Sequence, residues 1–166
     1  EITSPMITKL LAELLEKGGG GGALHLDTLA EIDIDNAIRV SLVLMLMLGL
    51  RSGEARGLRW CDVDFQNNVV SVEKFGDTFN GLALTELKTK RSRRKLPLSP
   101  VLREILLKHK AVQDEQARKL GSAWQVNGLI CPNLKGGLMD KATPNKAVKR
   151  ILKERKDLPQ NLHAHS

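Results

Sequence analysis

Residues 40–50 carry no charge and, apart from Ser41 and Gly49, contain nothing but Val, Leu and Met; Arg39 and Arg51 close the run at its two ends. It is too short to cross a bilayer, which takes about 20 residues. Asp35 is an N-cap residue just upstream, and Gly49 is a helix stop. The spacing predicts a helix from Asp35 to about Leu48. Residues 42–48 are apolar on every face, so this helix belongs in the middle of a core. Ser52 is placed to cap a short following helix over 53–58.

The remaining elements are arranged around that helix. Ser4-Pro5 reads as a cap with proline at the first helical position, and Ile7, Leu10, Leu11, Leu14 and Leu15 form one apolar stripe. Residues 18–22 are all glycine and end it as a flexible loop. No Lys-Ser or Lys-Thr follows them, which argues against a nucleotide-binding P-loop. Residues 69–72, after Asn67-Asn68, read as a strand, with two more over 82–87 and 95–98. Residues 88–94 between these last two read as a basic hairpin tip. Ser99-Pro100 opens a helix ending near Gly121, residues 129–131 form a short apolar strand stopped by Pro132, and Thr143-Pro144 opens a last helix. The fold class is α+β, mainly helical with a small three-stranded antiparallel sheet.

At 166 residues the chain suits one domain or a piece of one, and 42% hydrophobic with 27% charged residues is ordinary globular composition. Cys61 and Cys131 are too far apart to make a disulfide framework or a metal-ligand spacing, and they suit a reducing, cytoplasmic setting. No secretory or membrane segment is visible. The charge is divided unevenly. Residues 1–87 hold 7 basic and 13 acidic side chains; residues 88–166 hold 19 and 6. The second half therefore carries a net +13. That points to a polyanion, most simply nucleic acid, or else to a solvated lysine-rich surface.

Three places carry candidate chemistry. Arg51 follows a buried helix and precedes a helix N-terminus, where its fork can hold a phosphate with help from free backbone N–H groups. Glu54 can orient that guanidinium. The alternative is a structural Arg–Glu pair at a helix junction. Six of the eight residues from Lys88 to Lys95 are basic, which suits a phosphate backbone, against the alternative of a solvated turn. No aromatic is interleaved, so base stacking is not expected there. The face of the last helix opposite Ala147, Val148, Ile151 and Leu152 carries Lys146, Lys149, Arg150 and Lys153. His163 and His165 are spaced for one face of a strand, yet no further ligand cluster lies nearby, so loop histidines are the plainer reading. His25 and His109 stand alone.

Taken in order, these motifs resemble the catalytic domain of the tyrosine recombinases, the phage-type integrases. The resemblance starts at Gly49-Leu50-Arg51-Ser52-Gly53-Glu54 and continues through Leu58-Arg59-Trp60 and Asp62-Val63-Asp64. It then takes in Lys88-Thr89 and Ile130-Cys131-Pro132-Asn133, and closes at Leu158-Pro159 before His165. It implies strand cleavage by a tyrosine through a 3′-phosphotyrosyl link. Arg51 takes the place of the first catalytic arginine, with Glu54 supporting it. Lys88 takes the place of the general acid toward the leaving 5′-oxygen, with Lys90 as the alternative register. His165 takes the place of the histidine that precedes the second arginine. Lys90, Arg91, Arg93, Arg94 and the four cations of the last helix are then contacts to DNA.

The resemblance implies double-stranded DNA as partner, a homo-oligomer on DNA for the full-length enzyme, no membrane, and no metal or other cofactor, since arginines supply the charge. It departs from the family pattern, which the chain matches only as far as the histidine before the second arginine, and the chain has no tyrosine. Residues 1–166 then correspond to roughly the first two-thirds of a catalytic domain. The second arginine and the nucleophile are expected beyond Ser166, and a DNA-clamping domain before residue 1, so these residues alone are expected to be inactive in cleavage. The alternative function is a non-catalytic DNA-binding module using the same basic faces; a weaker third is a small interaction protein with a lysine-rich surface.

Overall fold

The computed structural model describes residues 35–77, 83–86 and 93–154. The expected N-terminal helix and glycine loop, Lys88, Lys90, Arg91 and the stretch from Leu158 to His165 lie outside them.

Helix α1 (Asn36–Leu48) begins as its sequence predicts. Asp35 accepts the Ala37 N–H at 2.9 Å, and Gly49 ends the helix in the left-handed region at φ 61°. Val40, Leu42, Val43 and Leu44 are fully buried. Burial is not complete along the helix, however: Leu46 is 43% exposed. Among the described residues α1 contacts three further helices: α2 (Ser52–Gly57), α3 (Pro100–Leu120) and α4 (Thr143–Glu154). The cap of α2 is Arg51 rather than Ser52, which is its first residue and is buried. On α3, Leu102, Ile105, Leu106, His109 and Gln113 make the buried stripe; Ser99 caps its start, and Pro100 is its first residue. Proline there costs nothing, because that N–H has no partner inside the helix.

The three-stranded antiparallel sheet is present, with a different third member. Its order is β1 (Val63–Asp64), β2 (Val69–Val72), β5 (Arg94–Pro97). The turn from β1 to β2 is built on Asp64, whose carboxylate accepts the N–H groups of Gln66 and Asn67, both at 2.9 Å, with Asn68 at φ 53°. This is the local chemistry that makes Asp and Asn turn residues. Only Glu73 separates β2 from β3 (Lys74–Asp77), which pairs with β4 (Ala83–Glu86).

This register overturns the expected hairpin. Strands β4 and β5 do not face each other across a basic tip; both pair with the continuous stretch β2–β3, and the chain reverses between Asp77 and Ala83. Glu86 sits opposite Lys74 and Arg94 opposite Val72. Val72 and Lys74 are two positions apart along the chain, while Glu86 and Arg94 are eight apart. The partners of Arg94 and Glu86 are therefore neighbours on one strand, about 7 Å apart at the usual rise per residue.

Residues 129–131 are buried but do not form the expected strand; Leu129 makes a single bridge to Arg59. Side chains of α3 replace a strand neighbour. Gln113 Nε2 donates to the Leu129 carbonyl at 3.0 Å, and His109 Nε2 donates to the Ile130 carbonyl at 2.6 Å. The Ile130 N–H donates to the Leu58 carbonyl at 2.9 Å. Buried backbone must be paired, and here it is paired without a ladder.

Candidate functional site

Arg51 occupies a short extended joint between two helices. Leu50, buried, pins the chain before it, and the Arg51 carbonyl accepts the Ala55 N–H at 3.0 Å as the first bond of α2. The backbone at Arg51 is extended, at φ −68° and ψ 153°, and its side chain is exposed. With its main-chain carbonyl engaged in this way, Arg51 has chiefly its side-chain freedom to lose on meeting a ligand.

Glu54, three residues on and only 3% exposed, organises this joint. Its Oε2 accepts the Arg51 backbone N–H at 2.9 Å. Both carboxylate oxygens also accept the Arg94 fork, Nη1 to Oε1 at 2.8 Å and Nη2 to Oε2 at 2.9 Å. Glu54 therefore supports Arg51 through its main chain, while its side-chain partner is Arg94. Burial works against the charged carboxylate. The Arg94 hydrogen bonds, the Arg51 N–H and the charges of both arginines outweigh it, so Glu54 ionises below the ordinary carboxylate range. The Glu54 hydrogen bond likewise raises Arg94 further, against a smaller opposing effect of burial.

Two expectations change as a result. The start of α2 already holds an anion, the Glu54 carboxylate, so it is not an open positive helix end. Arg94, read from sequence as a DNA contact, is half-buried and engaged with Glu54. Arg93 beside it is exposed, as are Lys146, Lys149, Arg150 and Lys153 along α4, whose opposite face buries Ala147, Val148 and Ile151. The structure thus brings Arg51, Glu54 and Arg94 together and places the α4 cations on one outward face. Lys88, Lys90, Arg91 and His165 are not among the described residues.

A second set of polar residues gave no linear signal. His109 is buried; its Nδ1 accepts from Asn36 Nδ2 at 2.8 Å, and its Nε2 holds the Ile130 carbonyl. Trp60 Nε1 donates to Gln113 Oε1 at 2.6 Å. These residues are spread over more than seventy positions, and only the fold joins them. Among the described residues, no three His, Cys, Asp or Glu side chains are grouped to hold a metal, and no helix is long and apolar enough to cross a membrane. The cleft beside the start of α1 is lined by Ile38, Leu134, Leu138 and Met139, with Asp35 and Asp140 as its charges, a poor setting for phosphate.

Comparison with known proteins agrees with the order of motifs. Residues 25–166 match the phage integrase family. A tyrosine recombinase XerC-like protein of Caldanaerobacter subterraneus subsp. tengcongensis is 27% identical over an alignment of 128 residues that covers 69% of this chain and 33% of that protein. Among solved structures, the Tn1549 transposon integrase in complex with transposon right end DNA superposes with a TM-score of 0.65 at 22% identity, over 84% of this chain and 46% of that one. The same integrase with an R225K substitution, on a circular intermediate DNA, gives 0.66 at 19% identity, over 93% and 53%. At these identities the structures speak for the fold alone. The chain spans a third of the curated relative and about half of each solved integrase. With most of its length matched, the chain belongs to the phage integrase family.

Proposed function

We propose that this chain is part of the catalytic domain of a site-specific tyrosine recombinase, acting on double-stranded DNA of a phage or other mobile element. The observation that carries the reading is Arg51, exposed on a joint whose main chain is held by a buried carboxylate, in a chain matched to the integrases over residues 25–166. The Tn1549 relatives were solved on DNA, and the basic half of this chain suits the same partner.

In this reading Arg51 neutralises charge as the attacked phosphate becomes pentacoordinate. Lys88, or Lys90 in the other register, protonates the leaving 5′-oxygen. His165 assists near the phosphate. Arg93 and the α4 cations hold the DNA backbone, with Lys90 and Arg91 as further contacts. The arginines supply the charge that a metal supplies elsewhere. A tyrosine from outside these 166 residues forms the covalent link, and the complete enzyme works as an oligomer on DNA in the cytoplasm.

Duplex binding tests the partner. The chain should bind short DNA of unrelated sequences about equally, because phosphate contacts position without specifying. The logarithm of affinity should fall linearly with the logarithm of salt, by about 0.9 for each phosphate neutralised. Replacing Lys149 and Arg150 together with Ala should reduce that slope by about 1.8. A chain that binds no duplex at low ionic strength contradicts the reading.

A further inference from the structure

We infer that Arg94 is a positioning residue for Arg51, acting through the Glu54 carboxylate, and that this link ties the start of β5 to the arginine site. The inference rests on the reading of Arg51 as the phosphate arginine. Arg94 is the residue at which the chain re-enters the sheet after the basic run, opposite Val72, which is fully buried. From there its guanidinium reaches back 40 residues to Glu54 on α2. The two oxygens of Glu54 are shared. Oε1 takes one arm of the Arg94 fork, and Oε2 takes both the other arm and the Arg51 N–H, each at 2.9 Å. Any movement of that carboxylate therefore moves both the main chain that carries Arg51 and the strand that ends the basic run.

The register adds a second reason for the link. Lys74 to Val72 is a two-residue step, and the opposing edge makes an eight-residue step from Glu86 to Arg94. The Arg94–Glu54 pair ties the start of β5 to the helix that Arg51 caps. A lysine at 94 keeps the charge but has one nitrogen in place of the two that meet Oε1 and Oε2 in parallel, so it separates a fork that positions from a charge that contacts DNA.

The test uses the 166-residue chain. Backbone amide exchange is measured for wild type, Arg94→Lys and Glu54→Gln, and duplex DNA is titrated over a range of salt. The expected result is that both variants lose about tenfold in protection at the Arg51 amide while α3 amides keep theirs. Arg94→Lys should also flatten the salt slope by more than the single contact worth about 0.9, because Arg93 and Lys95 on either side of it lose their fixed place. If Arg94→Lys leaves the Arg51 amide and the slope unchanged, Arg94 is a simple charge and the inference fails. Protection lost equally in α3 would show a plain structural pair and also overturn it. Should the wild-type chain bind no DNA, the functional reading falls, while the amide data still decide whether Arg94 positions Arg51.

Discussion

Asn36, the first residue of α1, donates its side-chain amide to Nδ1 of His109 in the middle of α3, 73 positions away, at 2.8 Å. The same imidazole donates from Nε2 to the Ile130 carbonyl at 2.6 Å. One neutral ring, with its proton on Nε2, therefore joins two helices and the buried 129–131 segment. A proton added to Nδ1 would face the Asn36 amide donor, and burial already holds this histidine below its usual value of 6.5, against weaker opposing effects.

His109→Ala should destabilise the domain by about 2–4 kcal/mol, the sum of a lost core side chain and a weakened hold on the buried Ile130 carbonyl, which keeps only the longer bond from Gln113 Nε2 at 3.5 Å. The pH dependence has a definite sign. The folded state binds the proton less readily than the unfolded one, so the stabilising effect is complete above 6.5 and falls as pH drops below it. Chemical denaturation between neutrality and mild acid should show this loss in the wild type and a flatter profile in His109→Ala. Equal profiles would contradict the assignment.

Glu54 acts lower on the pH scale and in the same direction. Its folded value lies below 4.5, so its stabilising effect is complete above 4.5 and is lost as pH falls through the depressed value. Arg94→Ala should cost about 2–3 kcal/mol at neutral pH, less than the 3–5 typical of breaking a fully buried pair, because the Arg94 side chain is one-third exposed. Denaturant midpoints across pH measure it. An unchanged midpoint would mean that solvent already screens the pair.

The basic run can be tested chemically in a complete recombinase carrying these residues. A DNA substrate with a 5′-sulfur leaving group needs no proton to depart. It should restore cleavage to Lys88→Ala if Lys88 is the acid. Rescue of Lys90→Ala instead would shift the register by two, and rescue of neither would leave both lysines as DNA contacts only.

Local signals were the legible ones. Asp35, Gly49 and Ser99-Pro100 mark helix ends by their own backbone chemistry, and the elements they bound are α1 and α3. The α4 faces follow from helical spacing in the same way. What the sequence did not reveal depends on long-range pairing. Residues 82–87 have the composition of a strand, yet nothing in them tells whether the partner is Lys95 or Lys74; only the register shows that the turn lies before Ala83. Glu54 stands three residues from Arg51, so local spacing suggested a side-chain pair. Arg94, 40 residues on, takes the carboxylate instead and leaves it the Arg51 N–H. Residues 129–131 are apolar enough for a strand and are paired by Gln113 and His109, which no local pattern can show.

The most direct measurement is the rate of covalent protein–DNA adduct formation on a nicked suicide substrate by a complete recombinase containing this chain, with and without Arg51→Ala. Arg51 would act on charge that develops only in the transition state, and such a donor is typically worth about 10²–10³ in rate. The expected result is a loss of that size with DNA affinity nearly unchanged. An Arg51→Ala enzyme that forms the adduct at the wild-type rate, or that loses only DNA affinity, would contradict it.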